Sequence, residues 1–137
     1  MKSLHLTLFF LLTHVLFAQS NTVSKKDAQP ALRFTVLEIE RQNIPYGSED
    51  LFVFEFKNTA KKAAVISNVQ TSCGCTAAER PETPIRKGKK GVIKVHYDTK
   101  RVGAFTKTIT VFSNVGDPII LTIKGSVLTP SDSPVIN

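Results

Sequence analysis

The chain has 137 residues, a formal net charge of +7 and only two cysteines. That length fits one domain with its own hydrophobic core, so neither a disulfide-rich scaffold nor a metal-built miniature fold is needed to explain stability. The charge is uneven: eleven basic and three acidic residues lie between Lys61 and Lys107. Such a surplus attracts polyanions to one half of a molecule, and outside the cytosol these are envelope phosphates or acidic glycans rather than nucleic acid.

Residues 1–20, "MKSLHLTLFFLLTHVLFAQS", carry one basic residue, Lys2, then an apolar run from Leu4 to Phe17, then the small Ala18. That is the layout of a secretory signal peptide. The run is 14 residues long and is interrupted by Thr7, Thr13 and His14, too short and too polar to span a bilayer. Cleavage after Ala18 and after Ser20 both suit the pattern. The mature form is therefore expected to be extracytoplasmic, periplasmic or secreted, with no transmembrane anchor. Residues 21–30 are polar and aperiodic and are expected to be flexible, like the serine- and proline-rich tail at 129–137. The domain is expected at 31–128.

Within it, "LRFTVLEIE" (32–40) is a weak strand candidate. In "LFVFEFK" (51–57), Phe52, Phe54 and Phe56 alternate with Val53, Glu55 and Lys57, as in a half-buried strand. "AAVISNVQT" (63–71) is a second weak candidate. "TAAERPETP" (76–84) begins like a helix, but Pro81 and Pro84 break it. "VIKVHYD" sets Ile93, Val95 and Tyr97 opposite Lys94 and His96. "FTKTITVFS" places Phe105, Ile109 and Val111 on one face, and "IILTIKGSV" does so with Ile119, Leu121, Ile123 and Val127. Turn signals separate these runs at the rhythm of a β-sandwich. The expectation is an all-β, immunoglobulin-like sandwich of about seven strands in two antiparallel sheets.

The order "F-x-F-K-N" (54–58), "V-x-T-S-C-G-C-T" (69–76), "P-x-x-P-I-x-x-G" (81–88), "Y-D-T" (97–99), "G-x-F-x-K-T-I-T-V-x-S-N" (103–114) and "L-x-I-x-G-x-V" (121–127) resembles the bacterial domain-of-unknown-function family fifteen-seventy-three. The resemblance covers nearly the whole domain and implies a fold similar to Hydin-type immunoglobulin-like domains, in a family whose members are typically exported; it implies no activity. The sequence departs from the family pattern at 41–47, "RQNIPYG", which lacks the usual D-F-G, and at Lys87, where a proline is usual.

Cys73 and Cys75 flank Gly74. Along a continuous strand their side chains would share a face, with β-carbons too far apart for a disulfide. Bonding therefore demands a turn, which Gly74 would shape through its access to positive φ. The ring would hold three residues, for which loop-closure entropy gives only about 1.6 kcal/mol. Three readings stand. The first is a local clasp oxidised by the compartment. The second is a Cu(I) site, since copper accepts few sulfur ligands, whereas structural zinc needs about four ligands and the mature chain adds only His96. The third is thiol redox, since small-ring disulfides are more reducible.

Arg86, Lys87, Lys89 and Lys90 form a basic run that could bind polyanions or could serve as a solvated turn that discourages edge pairing; Arg80, Lys100 and Arg101 would extend it. With one mature histidine, no G-x-S-x-G, no H-E-x-x-H and no phosphate-cradling loop, no catalytic assembly is recognisable. Carboxylates such as Glu38, Glu40, Glu49 and Glu55 have the spacing of an ordinary wet strand face. The leading expectation is thus an exported, non-catalytic module without a cofactor. It would bind or scaffold an unidentified envelope protein by strand addition at an exposed edge. The alternative is copper or thiol handling through Cys73 and Cys75.

Overall fold

The computed structural model describes residues 30–133. The expected signal peptide lies outside the described residues, as do 21–29 and 134–137. Eight strands follow one another: β1 (Leu32–Phe34), β2 (Glu38–Ile44), β3 (Asp50–Asn58), β4 (Ile66–Thr71), β5 (Thr76–Glu79), β6 (Lys90–Tyr97), β7 (Gly103–Ser113) and β8 (Ile119–Val127). They form two four-stranded sheets, the first in the order β1-β3-β6-β5 and the second β2-β8-β7-β4. The fold is an all-β sandwich.

The alternating runs form strands for the reason their pattern suggests. Phe52, Phe54 and Phe56 of β3 and Ile93 and Val95 of β6 face Ile109 and Val111 of β7 and Leu121 and Ile123 of β8, and all are 1% exposed or less. Each buried phenylalanine is worth roughly 1.5–3 kcal/mol against exposure. At one end of the core Tyr97 stacks on Phe105 with ring centroids 3.8 Å apart, and Phe52 meets Phe105 edge-on. Burial pushes the Tyr97 phenol above its ordinary pKa, with Arg101 opposing the shift.

Three expectations need correction. The single candidate at 32–40 is two strands in different sheets: the Thr35 N–H donates to Glu55 O (2.9 Å) in the first sheet, while Leu37 O accepts from Thr122 N–H (2.8 Å) in the second. Between them Val36 bridges the gap on the surface, 45% exposed. Because the chain keeps its direction through this crossing, β2 lies parallel to β8, and the second sheet is not wholly antiparallel. The third concerns "TAAE", which starts neither a helix nor a loop but forms β5, a four-residue edge strand. In addition, the tail begins with a turn: Ser133 Oγ donates to Thr129 O (2.9 Å) and accepts from Tyr46 N–H (2.8 Å).

The departure from the family pattern at 41–47 coincides with an irregularity. The β2–β8 register shifts between Arg41 and Ile44, and Asn43 takes a φ of 58°, which asparagine tolerates better than most residues. Just before the shift, Arg41 lies opposite Gly125, and a Cβ on Gly125 would overlap the Arg41 carbonyl. Gly125→Ala is therefore expected to push β2 away from β8 and lower unfolding stability by about 1–3 kcal/mol, measured by urea denaturation; a change within 0.5 kcal/mol, the range of an innocuous surface substitution, would show that β2 is not held there.

Candidate functional site: the β5 edge

β4 and β5 are the edge strands of the two sheets on the same side of the sandwich, and the cysteine segment carries the chain from one to the other. Backbone bonds fix both of its ends. Ser72 N–H donates to Thr108 O (3.0 Å), and Asp98 N–H donates to Cys75 O (3.0 Å). Between these anchors Cys75 N–H points at Cys73 Sγ (3.3 Å), and Thr71 Oγ1 donates to Cys73 O (3.1 Å). The two sulfurs are placed at bonding distance, with Cα atoms 5.3 Å apart; Cys75 is buried and Cys73 half-buried. Thr76 Oγ1 lies 3.6 Å and 3.8 Å from the two sulfurs.

Gly74 does not use the conformation expected of it. Its φ is not positive, and a Cβ there would meet nothing within 4 Å. The bends at Ser72 and Cys73 and the turn at Gly74 and Cys75 close the loop instead. His96 is not brought to the cysteines: it lies on the outer face of β6, where its Nε2 meets Glu79 Oε1 at 3.2 Å. Among the described residues no three histidine, cysteine or carboxylate side chains gather in a metal-binding group.

Arg86, Lys87, Lys89 and Lys90 are all exposed and crowd one tight turn, where Lys89 N–H donates to Arg86 O (3.0 Å) and Gly88 has a φ of 78°. Lys100 and Arg101 do not join them. They lie past the far end of the eight-residue β6, roughly 25 Å away, and Arg101 pairs with Asp98. Arg80 is pinned across the sandwich side, its Nη1 donating to Ile66 O (2.7 Å).

What fixes this turn is the asparagine that closes the F-x-F-K-N run, to which the sequence alone assigned no role. Asn58, the last residue of β3, is fully buried. Its Nδ2 donates to Lys62 O (2.9 Å) and Ile85 O (2.8 Å), and its Oδ1 accepts from Ala60 N–H (2.9 Å). Its backbone N–H donates to Lys89 O (3.0 Å) and its carbonyl accepts from Gly88 N–H (2.8 Å). One amide thus ties two loops to the strand end, with its hydrogen-bonding capacity largely met. Its signal in the sequence is its place at the end of an alternating apolar run, within the F-x-F-K-N motif at 54–58.

Beside the turn runs a groove of about 260 Å³ lined by Pro81, Ile85, Gly91, Val92 and Lys94, with Glu79 and Arg80 at its β5 side. Several carboxylates considered for catalysis are occupied as ion-pair partners: Glu38 and Glu40 share Lys124 (2.6 and 3.3 Å), and Glu55 meets Lys90 (3.6 Å). Gln42 and Lys124 hold the Glu40 carboxyl below its ordinary pKa.

This architecture defines an all-β, immunoglobulin-like sandwich. Residues 32–127 match the family described as "Protein of unknown function (DUF1573)", and the chain belongs to that family. A comparison with curated protein sequences finds no match. Among solved structures, a protein of unknown function from Porphyromonas gingivalis W83 is similar with a TM-score of 0.62 at 13% identity, over 70% of this chain and 46% of that one; the chain thus spans less than half of that relative. The PapD-like domain 7 of human CEP192 gives 0.61 at 6% identity, over 72% of this chain and 85% of that one. The YadV chaperone gives 0.54 at 8%, over 70% and 51%. At such identities the likeness is one of fold.

Asn58→Ala removes all three hydrogen bonds of a fully buried side chain and leaves Lys62 O and Ala60 N–H without that partner, while Ile85 O keeps its bond from Ala64 N–H, so the substitution is expected to cost about 1–3 kcal/mol and to broaden the backbone signals of residues 85–89 by nuclear magnetic resonance. Unchanged signals there would show that the turn does not depend on Asn58.

Proposed function

We propose that this protein is an exported, non-catalytic module that binds or scaffolds another envelope protein by strand addition at an open edge of its sandwich. The observation that carries the reading is the mismatch at the β5 edge: β5 has four residues and the β6 strand it should cover has eight. Exposed edge backbone is what an extended segment of a partner pairs with. The ion-paired carboxylates and the outward His96 suit a surface without a reaction centre.

In this reading Cys73 and Cys75 form a disulfide clasp that holds the crossing from β4 to β5, and the basic turn contributes to partner choice. A second reading, Cu(I) or thiol handling, is favoured by the convergence of the two sulfurs, with Cys73 only half-buried.

Two experiments separate them. The mature chain used as bait in an envelope extract is expected to capture a specific partner, and capture of none across several salt and detergent conditions would contradict the binding reading. Anaerobic Cu(I) titration of the reduced protein is expected to show weak binding that Cys75→Ser leaves unchanged. Tight stoichiometric binding abolished by that variant would replace the proposal with copper handling.

A further inference from the structure

We infer that the docking site is the empty lane beside β6 at residues 90–93, and that its occupant is an extended segment of a partner protein in which acidic residues alternate with apolar ones. The inference rests on the binding reading above and specifies its place and chemistry.

The lane follows from the two ladders on β6. With β3 it pairs over its whole length, from Lys90 opposite Lys57 to Tyr97 opposite Asp50. With β5 it pairs only from Lys94 to Tyr97. In an antiparallel ladder, successive residues aim their backbone groups to opposite sides. Asp98 N–H bonds Cys75 O at one end, and Lys89 O accepts from Asn58 N–H at the other. Even-numbered residues of β6 therefore face the β5 lane, and odd-numbered ones face β3. The N–H and C=O groups of Lys90 and Val92 point to where β5 no longer runs, and among the described residues nothing pairs with them on that side.

The reason for the vacancy is visible in the chain. At Pro81 it drops toward the second sheet, where Ile85 and Ala64 exchange both backbone bonds (2.8 and 2.9 Å). Proline has no N–H to continue the ladder in any case. The lane left behind is four residues long, about 13 Å of strand, and the groove lies along it.

Side chains set the character of the occupant. Ile85, Pro81 and the 37%-exposed Val92 supply apolar contact. At Gly91 the Phe56 ring lies so close that a Cβ would come within 2.5 Å of its Cζ, so the inner side of the lane abuts core. Arg86, Lys87 and Lys89 stand exposed at its open end. Of the nearby acids, Glu79 and Glu55 are already engaged by Lys94, His96 and Lys90, and the exposed Glu82, beside Glu79 and Arg80, is outnumbered by Arg86, Lys87 and Lys89. Positive charge is thus left over beside an apolar floor. A strand with apolar side chains on one pleat face and carboxylates on the other fits both; a purely basic or neutral strand fits one.

The test uses the mature chain and three acetylated heptapeptides in which valine alternates with glutamate, serine or lysine. Binding and amide exchange are followed by nuclear magnetic resonance. The glutamate peptide is expected to bind best, to slow exchange of the Lys90 and Val92 amides, and to lose at least about tenfold in affinity on Lys87→Glu with Lys89→Glu, while the serine peptide is unaffected by that pair. Val92→Pro, which deletes a lane N–H, is expected to abolish binding; should that variant not fold, the charge-reversed pair still decides. Protection appearing at Glu38–Ile44 instead, or equal affinity for all three peptides, overturns the inference and leaves the binding reading standing. Binding of inorganic polyphosphate at the turn without protection of Lys90 and Val92 overturns it in favour of a polyanion surface. Failure of all three peptides at about 1 mM overturns it as well, and the binding reading falls with it only if the extract also yields no partner.

Discussion

The packing of one side-chain row from β3 and β6 against one from β7 and β8 is the interaction on which the rest of the molecule depends. Side chains alternate strictly along a strand, so a slip of one residue would exchange Phe52, Phe54 and Phe56 for Val53, Glu55 and Lys57 in the interior. The cost would be several buried aromatics and the burial of charge. Register in the four central strands is therefore fixed by the core alone, which leaves the edge strands free to be short. β1 has three residues and β5 four, against nine in β3 and eight in β6.

Those short edges are where the chain changes sheet. On one side of the sandwich β1 hands over to β2 through residues 35–37; on the other β4 hands over to β5 through the cysteine loop. Each crossing closes its side locally. The second closes only half of it, because β5 ends at Glu79 and the following segment pairs with Ala64 instead. Asn58 holds that segment and the basic turn in place. The groove and the unpaired backbone are thus consequences of a single topological event, the departure of the chain at Pro81, and the basic turn stands where the chain returns to enter β6.

The fold was legible wherever burial wrote a period of two into the sequence. β3, β6, β7 and β8 have one buried and one wet face, and each was readable from its alternation. β5 was not: four residues, "TAAE", are too few and too small to show a pattern, and Pro81 drew attention to helix breaking rather than strand ending. The split of 32–40 was hidden because Val36 and Leu37, apolar yet exposed, continue the greasy run across the crossing. At the candidate site, the cysteines and the basic residues were visible as residue types. Their separation was not, since sequence cannot tell that Lys100 and Arg101 fall at the far end of β6, that His96 faces away from Cys75, or that Gly74 closes its turn without a positive φ. Asn58 was visible as the end of the F-x-F-K-N motif, but its role was not legible, because its partners lie up to 31 residues away, as with Lys89.

Residue-resolved hydrogen exchange of the free protein tests the central claim most directly, since it reads the ladder on β6 one amide at a time. The account predicts an alternation at the start of the strand, with Gly91 and Ile93 slow on the β3 side and Lys90 and Val92 fast, followed by slow exchange at Lys94 and His96 where β5 is present. Slow exchange at Lys90 and Val92, matching Lys94, would mean that the lane is already filled and would contradict the account.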